Sequence, residues 1–300
     1  MSRPNPPVGA IVVNDGHVVG RGWTQSGGRP HAEAAALEMA GARARGGTLY
    51  VTLEPCAHAS QRGPACADLA AAAGLARLVA GVEDPDPRTA GRGLARVREA
   101  GSEASIVPSS EAEASLAGYL TRATLSRPHV TLKLALSLDG GLALADGSSR
   151  WITGEAARAH GHLERARCDA ILVGGGTLRA DAPRLDVRLP GLAPRSPERW
   201  VLTRGAALDG WRAISEPAQI AQGDAQWLLV EGGAETAAAF LAEDLVDRLL
   251  IYRAPIMIGA GKPGIGDLGL TDLAAAHGCW RLAERATLGS DTLEVYERIR

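Results

Sequence analysis

The sequence predicts an α/β protein built as two successive domains, residues 1–124 and 127–300, each a sheet covered by helices. Three observations carry this. The chain has 300 residues, more than one hydrophobic core normally organises and enough for two units of about 120 to 180 residues. Short apolar runs alternate with helix-length segments rich in Ala and Leu, the order that gives strands joined by crossover helices. At Ser126-Arg127-Pro128 the helical pattern stops ahead of a proline and a strand-rich stretch begins.

The first domain opens with a hairpin, VGAIVV at 8–13 and HVVGRG at 17–22, joined through Asn14-Asp15-Gly16. Those turn residues tolerate the positive φ that a tight hairpin requires. Strand runs follow at 48–53, 77–82 and 103–107, alternating with helical patterns at 31–45, 65–74, 89–100 and 110–122. That order predicts a mainly parallel sheet beyond the hairpin. The second domain opens on the alternating strand HVTLKLALSLDG (129–140). A buried strand running into glycines follows in DAILVGGGTLRADAPRL (169–185), then WLLVEGGAETAAAFL (227–241) and the strand of DRLLIYRAPIMIG (247–259). The VEGGAET run reads as strand, Gly-Gly turn and helix start, which aims backbone amides and a helix dipole at a phosphate. Neither glycine run has the G-x-G-x-x-G pattern with its later acidic residue, so a Rossmann dinucleotide site is not supported.

Composition excludes several classes. The net charge is −2 with no basic stripe, so nothing electrostatic recommends nucleic acid. No run of about 18 apolar residues occurs and no signal peptide precedes Pro4, which predicts a soluble cytoplasmic protein with no membrane partner. Four cysteines do not make a disulfide framework, and Cys168 and Cys279 read as ordinary structural residues. Among 32 basic residues only Lys133 and Lys262 are lysine, which singles out Lys133 in a chain that otherwise uses arginine.

The strongest chemical signal is His31, Glu33, Cys56 and Cys66, in PHAEAAAL and LEPCAHASQRGPAC. One imidazole and two thiols are three ligands of the right softness for tetrahedral Zn²⁺, with the fourth position open. In nucleobase deaminases the glutamate of H-x-E is a proton shuttle and not a ligand. The second half of that signature, P-C-x-x-C, is stretched here to nine residues between the cysteines. A purely structural zinc is the rival, with His58 as its fourth ligand and Glu33 idle. The ligands are expected at helix N-termini, where free amides favour thiolate.

The series PNPPVGAIVV, PHAEAAAL, TLYVTLEPCAH and GVEDPDPRTAGRGLARVREAG resembles the deaminase half of the bifunctional riboflavin-biosynthesis deaminase/reductase family, over nearly all of residues 4–107. The resemblance implies a cytidine-deaminase-like α/β/α domain in which His31, Cys56 and Cys66 hold zinc and Glu33 is the proton shuttle. Asn5 and His58 would face the pyrimidine and its ribose phosphate. This chain departs from the family in three places. The Cys56–Cys66 interval is one residue longer, so the loop Ala57–Ala65 must bulge. Thr24 stands where the family has a histidine, and the helix that usually precedes the PNP motif is missing.

Residues 128–300 resemble the reductase half of the same family, which implies a dihydrofolate-reductase-like α/β domain using NADPH. The matching residues are Lys133, Ser137, Asp139-Gly140, Trp151-Ile152-Thr153, Arg165, Asp169-Ala170, Gly174, Thr177, Asp181, Pro183, Leu185, Arg188 and Glu231-Gly232-Gly233. By that likeness Ala135, Trp151, Thr177, Asp181 and the run Gly233, Ala234, Glu235, Thr236, Ala237, Ala238, Ala239 bind NADPH. Ser149, Arg165, Leu185, Arg188 and Glu231 bind substrate, the two arginines suiting a ribose phosphate because a guanidinium pairs with it bidentately. Arg204 replaces an expected small polar residue at the cofactor.

The family reading implies two reactions. Zinc-dependent deamination of a diaminopyrimidinone ribosylamine phosphate comes first. NADPH reduction of the ribosyl group to ribityl follows, with Lys133 and Asp181 as candidates for handling the proton. It also implies a homo-oligomer formed through the reductase domain. The alternatives are a reductase carrying a degenerate deaminase half, and a zinc-stabilised module that binds a nucleotide without turning it over.

Overall fold

The computed structural model describes residues 2–58, 61–206 and 208–300. The chain divides into two compact units, Met1–Arg127 and Pro128–Arg300.

In the first unit the elements are β1 (Gly9–Asn14), β2 (His17–Trp23), α1 (Ala32–Ala40), β3 (Thr48–Leu53), α2 (Cys66–Ala72), β4 (Arg77–Val82), α3 (Arg92–Glu99), β5 (Glu103–Ile106) and α4 (Ser110–Leu125). The sheet order is β2-β1-β3-β4-β5. Asp15 and Gly16 both take positive φ, 48° and 73°, and close the hairpin as their residue types require. β3, β4 and β5 are mutually parallel, but β1 runs antiparallel to both β2 and β3. Four of the five strands thus share one direction and β1, inside the hairpin, opposes them, so the sheet is parallel beyond the hairpin as the alternation predicts. The crossover through α1 carries the chain past β1, so β3 runs with β2 yet pairs with β1.

α1 sits directly on the hairpin backbone. A Cβ at Gly20 would meet the Ala36 carbonyl oxygen at 2.1 Å, and one at Gly22 would meet that of Ala32 at the same distance. The helix answers with Ala32, Ala36 and Ala40, spaced by four and all buried. Gly22→Ala must therefore push away the first turn of α1, which carries His31 and Glu33. We expect it to cost about 1–3 kcal/mol and to weaken zinc retention, both readable by thermal unfolding and metal analysis.

Among the described residues no helix precedes β1. Beside the start of α4, on the sheet face where that helix packs, Ile11, Trp23, Tyr50, Val79 and Val107 line an apolar hollow of about 640 Å³. Trp23 is 63 % exposed there. Of the lengthened loop Ala57–Ala65, Ala59 and Ser60 lie outside the described residues.

The second unit comprises β6 (His129–Leu136), β7 (Gly141–Ala143), α5 (Glu155–Arg167), β8 (Ala170–Gly174), α6 (Gly175–Asp181), β9 (Glu198–Leu202), β10 (Arg212–Ile214), β11 (Trp227–Val230), α7 (Ala234–Ala242), β12 (Arg248–Arg253), β13 (Lys262–Pro263), β14 (Trp280–Leu288) and β15 (Asp291–Arg298). Eight strands form one sheet, β10-β9-β8-β11-β6-β12-β15-β14. It is parallel from β10 to β12 and antiparallel beyond. The central strand β8, AILVG, is buried throughout, as a parallel strand covered on both faces must be. Two features were not legible in the pattern. α5 (EAARAHGHLERAR) buries only Ala157, Gly161, Glu164 and Ala166, so it has no apolar stripe to read. The terminal strand β14 is almost wholly exposed. No described helix is long and apolar enough to cross a membrane.

Candidate active sites

In the first unit three elements converge. His31 caps the N-terminus of α1, Cys66 is the first residue of α2, and Cys56 follows β3 by three residues. His31 Nδ1 lies 3.3 Å from Cys66 Sγ and 3.7 Å from Cys56 Sγ, and the three donor atoms lie within 4.8 Å of one another. Tetrahedral bonds of about 2.0 Å to nitrogen and 2.3 Å to sulfur set neighbouring donors roughly 3.5 to 3.8 Å apart, so a zinc ion fits this donor set. Among the described residues the set has three members and His58 is not one of them. A closed structural site with His58 as fourth ligand is therefore not what the chain builds.

The two thiols are pushed in opposite directions. Cys66 donates to Cys56, and that bond with the His31 contact pulls the Cys56 thiol down to about 4 against its burial. The same bond, with burial, holds the Cys66 proton in place. Cys66 also turns its amide onto the Cys56 sulfur at 3.3 Å. Glu33, in the first turn of α1, is 3 % exposed. Burial pushes its carboxyl up to about 7, with its own backbone amide pulling against and the Cys56 charge adding to the rise. A carboxyl poised there exchanges protons near neutral pH.

His31, Cys56 and Glu33 open onto a cavity of about 150 Å³ that also takes in Asn5, Thr24, His58, Asp84, Asp86, Arg88 and Tyr119. Asn5 donates to the Gly28 carbonyl at 2.9 Å and lies 2.8 Å from His31 Nε2, so it braces the imidazole as well as lining the cavity. Thr24 accepts from the Val8 amide at 3.0 Å, a fold-holding bond in place of the family histidine. His58 Nδ1 is buried with no protein partner among the described residues, the condition of a group waiting for a ligand. Four of the lining residues, Asp84, Asp86, Arg88 and Tyr119, were not picked out from sequence. Asp84 accepts from the Tyr119 hydroxyl at 2.7 Å, and burial raises its carboxyl. The signal was present in the DPDPR run, which carries an unusual density of charge just after a strand. Glu54, next to Pro55-Cys56, accepts from the amides of Gly91 and Leu94 at 3.0 and 3.1 Å and ties the ligand loop to the start of α3.

In the second unit Lys133 on β6, Arg165 on α5 and Glu231 at the end of β11 meet. Arg165 Nε and Nη2 donate to the two Glu231 oxygens at 2.7 and 2.8 Å, and Lys133 Nζ lies 4.0 Å from Oε2. Lys133 also stands over the Tyr252 ring, 5.6 Å from its centroid. Burial opposes the Glu231 charge, but Lys133 and then Arg165 outweigh it and hold the carboxyl down at about 2. Because the folded-state value lies below the ordinary 4.5, this contribution is complete above about pH 5 and disappears as pH falls towards 2. We expect roughly 3 kcal/mol of acid-sensitive stability from it. Urea titrations across that window should flatten in Glu231→Gln.

The remaining predicted residues are placed unevenly. Asp181, on the last turn of α6, pairs with Arg150 at 3.7 Å, and among the described residues no hydrogen bond or ion pair joins it to Lys133 or Glu231. Leu185 is 4 % exposed and packs with Ile171, Val173 and Leu229, so its side chain belongs to the core. Ser149 is half-buried, and Ala135 lies on β6 two residues from Lys133. Trp151 is 65 % exposed with the Arg158 guanidinium 5.0 Å from its ring centroid, a flat face offered to solvent.

A cradle forms where α6 and α7 begin. A Cβ on Gly174 would meet Thr236 Oγ1 at 2.2 Å, and one on Gly232 the Thr236 Cβ at 2.5 Å. Thr177 Oγ1 lies 3.8 Å from where a Gly233 Cβ would be. The first amides of α7, at Ala234, Glu235 and Thr236, have no partner within the helix, so the arrangement fits a dinucleotide phosphate. Ala237 and Ala238 are buried among core residues and offer it nothing. The small polar group expected at Arg204 is one residue earlier: Thr203 Oγ1 lies 3.0 Å from where a Gly175 Cβ would be.

Comparison with known proteins agrees with both halves. Residues 2–82 match the cytidine and deoxycytidylate deaminase zinc-binding region, and residues 128–211 and 217–293 match the RibD C-terminal domain. The riboflavin biosynthesis protein RibD of Escherichia coli is 38 % identical over 92 % of this chain and 89 % of its own length, and that of Aquifex aeolicus 34 % over 99 % and 93 %. Among solved structures, Acinetobacter baumannii RibD superposes with a TM-score of 0.88 at 32 % identity over 99 % of this chain and 94 % of its own. A Thermotoga maritima diaminohydroxyphosphoribosylaminopyrimidine deaminase/5-amino-6-(5-phosphoribosylamino)uracil reductase gives 0.86 at 30 % identity, over 99 % and 93 %. A deaminase zinc triad followed by a reductase unit, matched along almost the whole chain, places this protein in the RibD family of riboflavin biosynthesis proteins.

Proposed function

We propose that the chain performs the two reactions in order, deamination in the first unit and reduction in the second, with the residues divided as follows. The protein is a bifunctional riboflavin-biosynthesis enzyme using Zn²⁺ and NADPH. Its first substrate is the diaminopyrimidinone ribosylamine phosphate that the Thermotoga relative's name describes. The observation that carries the assignment is the convergence of His31, Cys56 and Cys66 beside a buried Glu33.

In the deaminase site His31, Cys56 and Cys66 hold the zinc, which when bound supplies Lewis-acid activation of water. Glu33 takes a proton from the nucleophile, delivers one to the ring nitrogen, and assists departure of ammonia. The unpartnered His58 Nδ1 and the Asp84 carboxyl read the ring's polar edge, and Asn5 keeps the His31 imidazole in place. In the reductase site NADPH, when bound, supplies hydride to C1 of the opened ribosyl group. Thr177, Thr203 and the amides of Ala234, Glu235 and Thr236 hold its phosphates, and Trp151 covers it. Lys133 manages the proton, Glu231 and Arg165 keep Lys133 in position, and Arg188 takes the substrate phosphate. Asp181 works with Arg150 at the cofactor's edge. We place the enzyme in the cytoplasm, without nucleic-acid partners, as a homo-oligomer through its reductase unit.

A coupled assay tests this. Zinc-loaded protein given the substrate should release ammonia without NADPH, then oxidise NADPH once it is added. Oxidation only with pre-deaminated substrate would leave a reductase with a degenerate first half. Silence in both would leave a binding module. No observation in either site favours these alternatives.

A further inference from the structure

The 182–188 segment is shaped before any ligand arrives. Ala182 and Leu185 both take left-handed backbone, φ 39° and 54°, and the buried Leu185 side chain nails the bend to the core. Such strain persists where surroundings over-determine it, which is common at binding sites. The bend presents Asp186 and Arg188 to α5, where His162 lies one turn before Arg165.

His162 is held at both ring nitrogens. Arg188 Nε lies 3.2 Å from His162 Nε2, and His162 Nδ1 lies 3.1 Å from the Asp186 carbonyl. A guanidinium has no acceptor, so Nε2 must accept. Nδ1 therefore carries the proton and donates to Asp186. That neutral tautomer satisfies Arg188 Nε and the Asp186 carbonyl and leaves the Arg188 amide, 3.4 Å from Nδ1, facing an N–H; a doubly protonated ring would also set N–H against N–H at Nε2. The surrounding charges agree: burial first, then Arg165 and Arg188, hold the imidazole below its ordinary pKa. Of the other charged groups on neighbouring elements, Glu231 is occupied by Arg165. Asp186 is paired with Arg184 at 2.6 Å and stands farther from Arg188 Nε, at 3.7 Å.

The two arginines differ in what they have left to give. Arg165 spends Nε and Nη2 on Glu231 and Nη1 on the Asp186 carbonyl at 3.2 Å. Of its side-chain nitrogens Arg188 uses only Nε within the chain, so among the described residues both of its terminal nitrogens are without a protein partner.

We propose that His162 is a positioning residue for Arg188, a neutral acceptor that fixes the guanidinium by its Nε and leaves the Nη1 and Nη2 donors aimed outward for the substrate's ribose phosphate. The proposal rests on the reading of Arg188 as the phosphate contact. Arg165 is by contrast tied to Glu231, with two of its five N–H donors left over. No other neutral side chain is bonded to Arg188 among the described residues, and a carboxylate in the place of His162 would cancel the charge the phosphate needs.

The test compares the parent, His162→Phe and His162→Gln on the deaminated ribosylamine phosphate and on the same compound without its phosphate. Glutamine keeps an acceptor oxygen of similar reach; phenylalanine keeps the bulk and loses it. In His162→Phe we expect KM for the phosphorylated substrate to rise by about 10-fold, the size of one charge-assisted hydrogen bond, with kcat unchanged. We expect no change on the dephosphorylated compound and recovery to within about 3-fold in His162→Gln. Binding of ribose 5-phosphate by calorimetry, which needs no turnover, should weaken in parallel. Equal losses on both compounds, a fall in kcat alone, or a glutamine variant no better than phenylalanine would overturn the proposal. If instead Arg188→Ala leaves ribose 5-phosphate binding unchanged, the phosphate reading of Arg188 fails, and the positioning role fails with it.

Discussion

Glu33→Gln should reduce ammonia release by about a thousandfold or more while leaving zinc bound and NADPH oxidation of pre-deaminated substrate untouched. The side chain is isosteric, so the first turn of α1 and the position of His31 are kept. The lost property is proton exchange. Glu33 is buried beside the thiols, and that burial lifts its carboxyl to about 7, where it can both accept and return a proton. Glutamine can do neither. Metal content by plasma emission separates this outcome from loss of the site. An unchanged rate of ammonia release would remove Glu33 from the chemistry.

The second large effect is expected at Lys133. Lys133→Met keeps the length and apolar stem of the side chain but removes the charge, and should lower the single-turnover rate of hydride transfer by about a hundredfold or more. NADPH affinity, followed by fluorescence titration, should change little, because the cradle of α6 and α7 is built without Lys133. Equal loss of both would reject a chemical role for the residue. Glu231 would then keep Arg165 as its partner, bonded at 2.7 and 2.8 Å, so the unit should still fold.

The zinc site was legible because its chemistry is carried by rare residue types close together in the chain. Two cysteines, a histidine and a glutamate fall inside a span of 36 residues, each beside a helix start or a strand end, and a metal centre is what such a set builds. The cavity around it was less legible. Asp84 and Asp86 lie in an ordinary-looking loop, and Tyr119 on α4 carries no motif at all. Only packing brings the Tyr119 hydroxyl to Asp84. Strand and helix types followed from apolar alternation and turn residues, whereas α5 was missed because its buried positions are Ala, Gly and one glutamate.

The sequence by itself determined the α/β class of both units, most of their strands, the zinc donors, the proton shuttle and the family. These depend on local periodicity and on side-chain chemistry, which a chain carries wherever it folds. Tertiary structure alone decided the rest. It made β1 antiparallel to β3, sent Leu185 into the core, paired Asp181 with Arg150, moved the small polar group from Arg204 to Thr203, and divided Arg165 from Arg188. Each of those outcomes turns on which groups come within bonding distance across tens of residues, which no local pattern in the chain encodes.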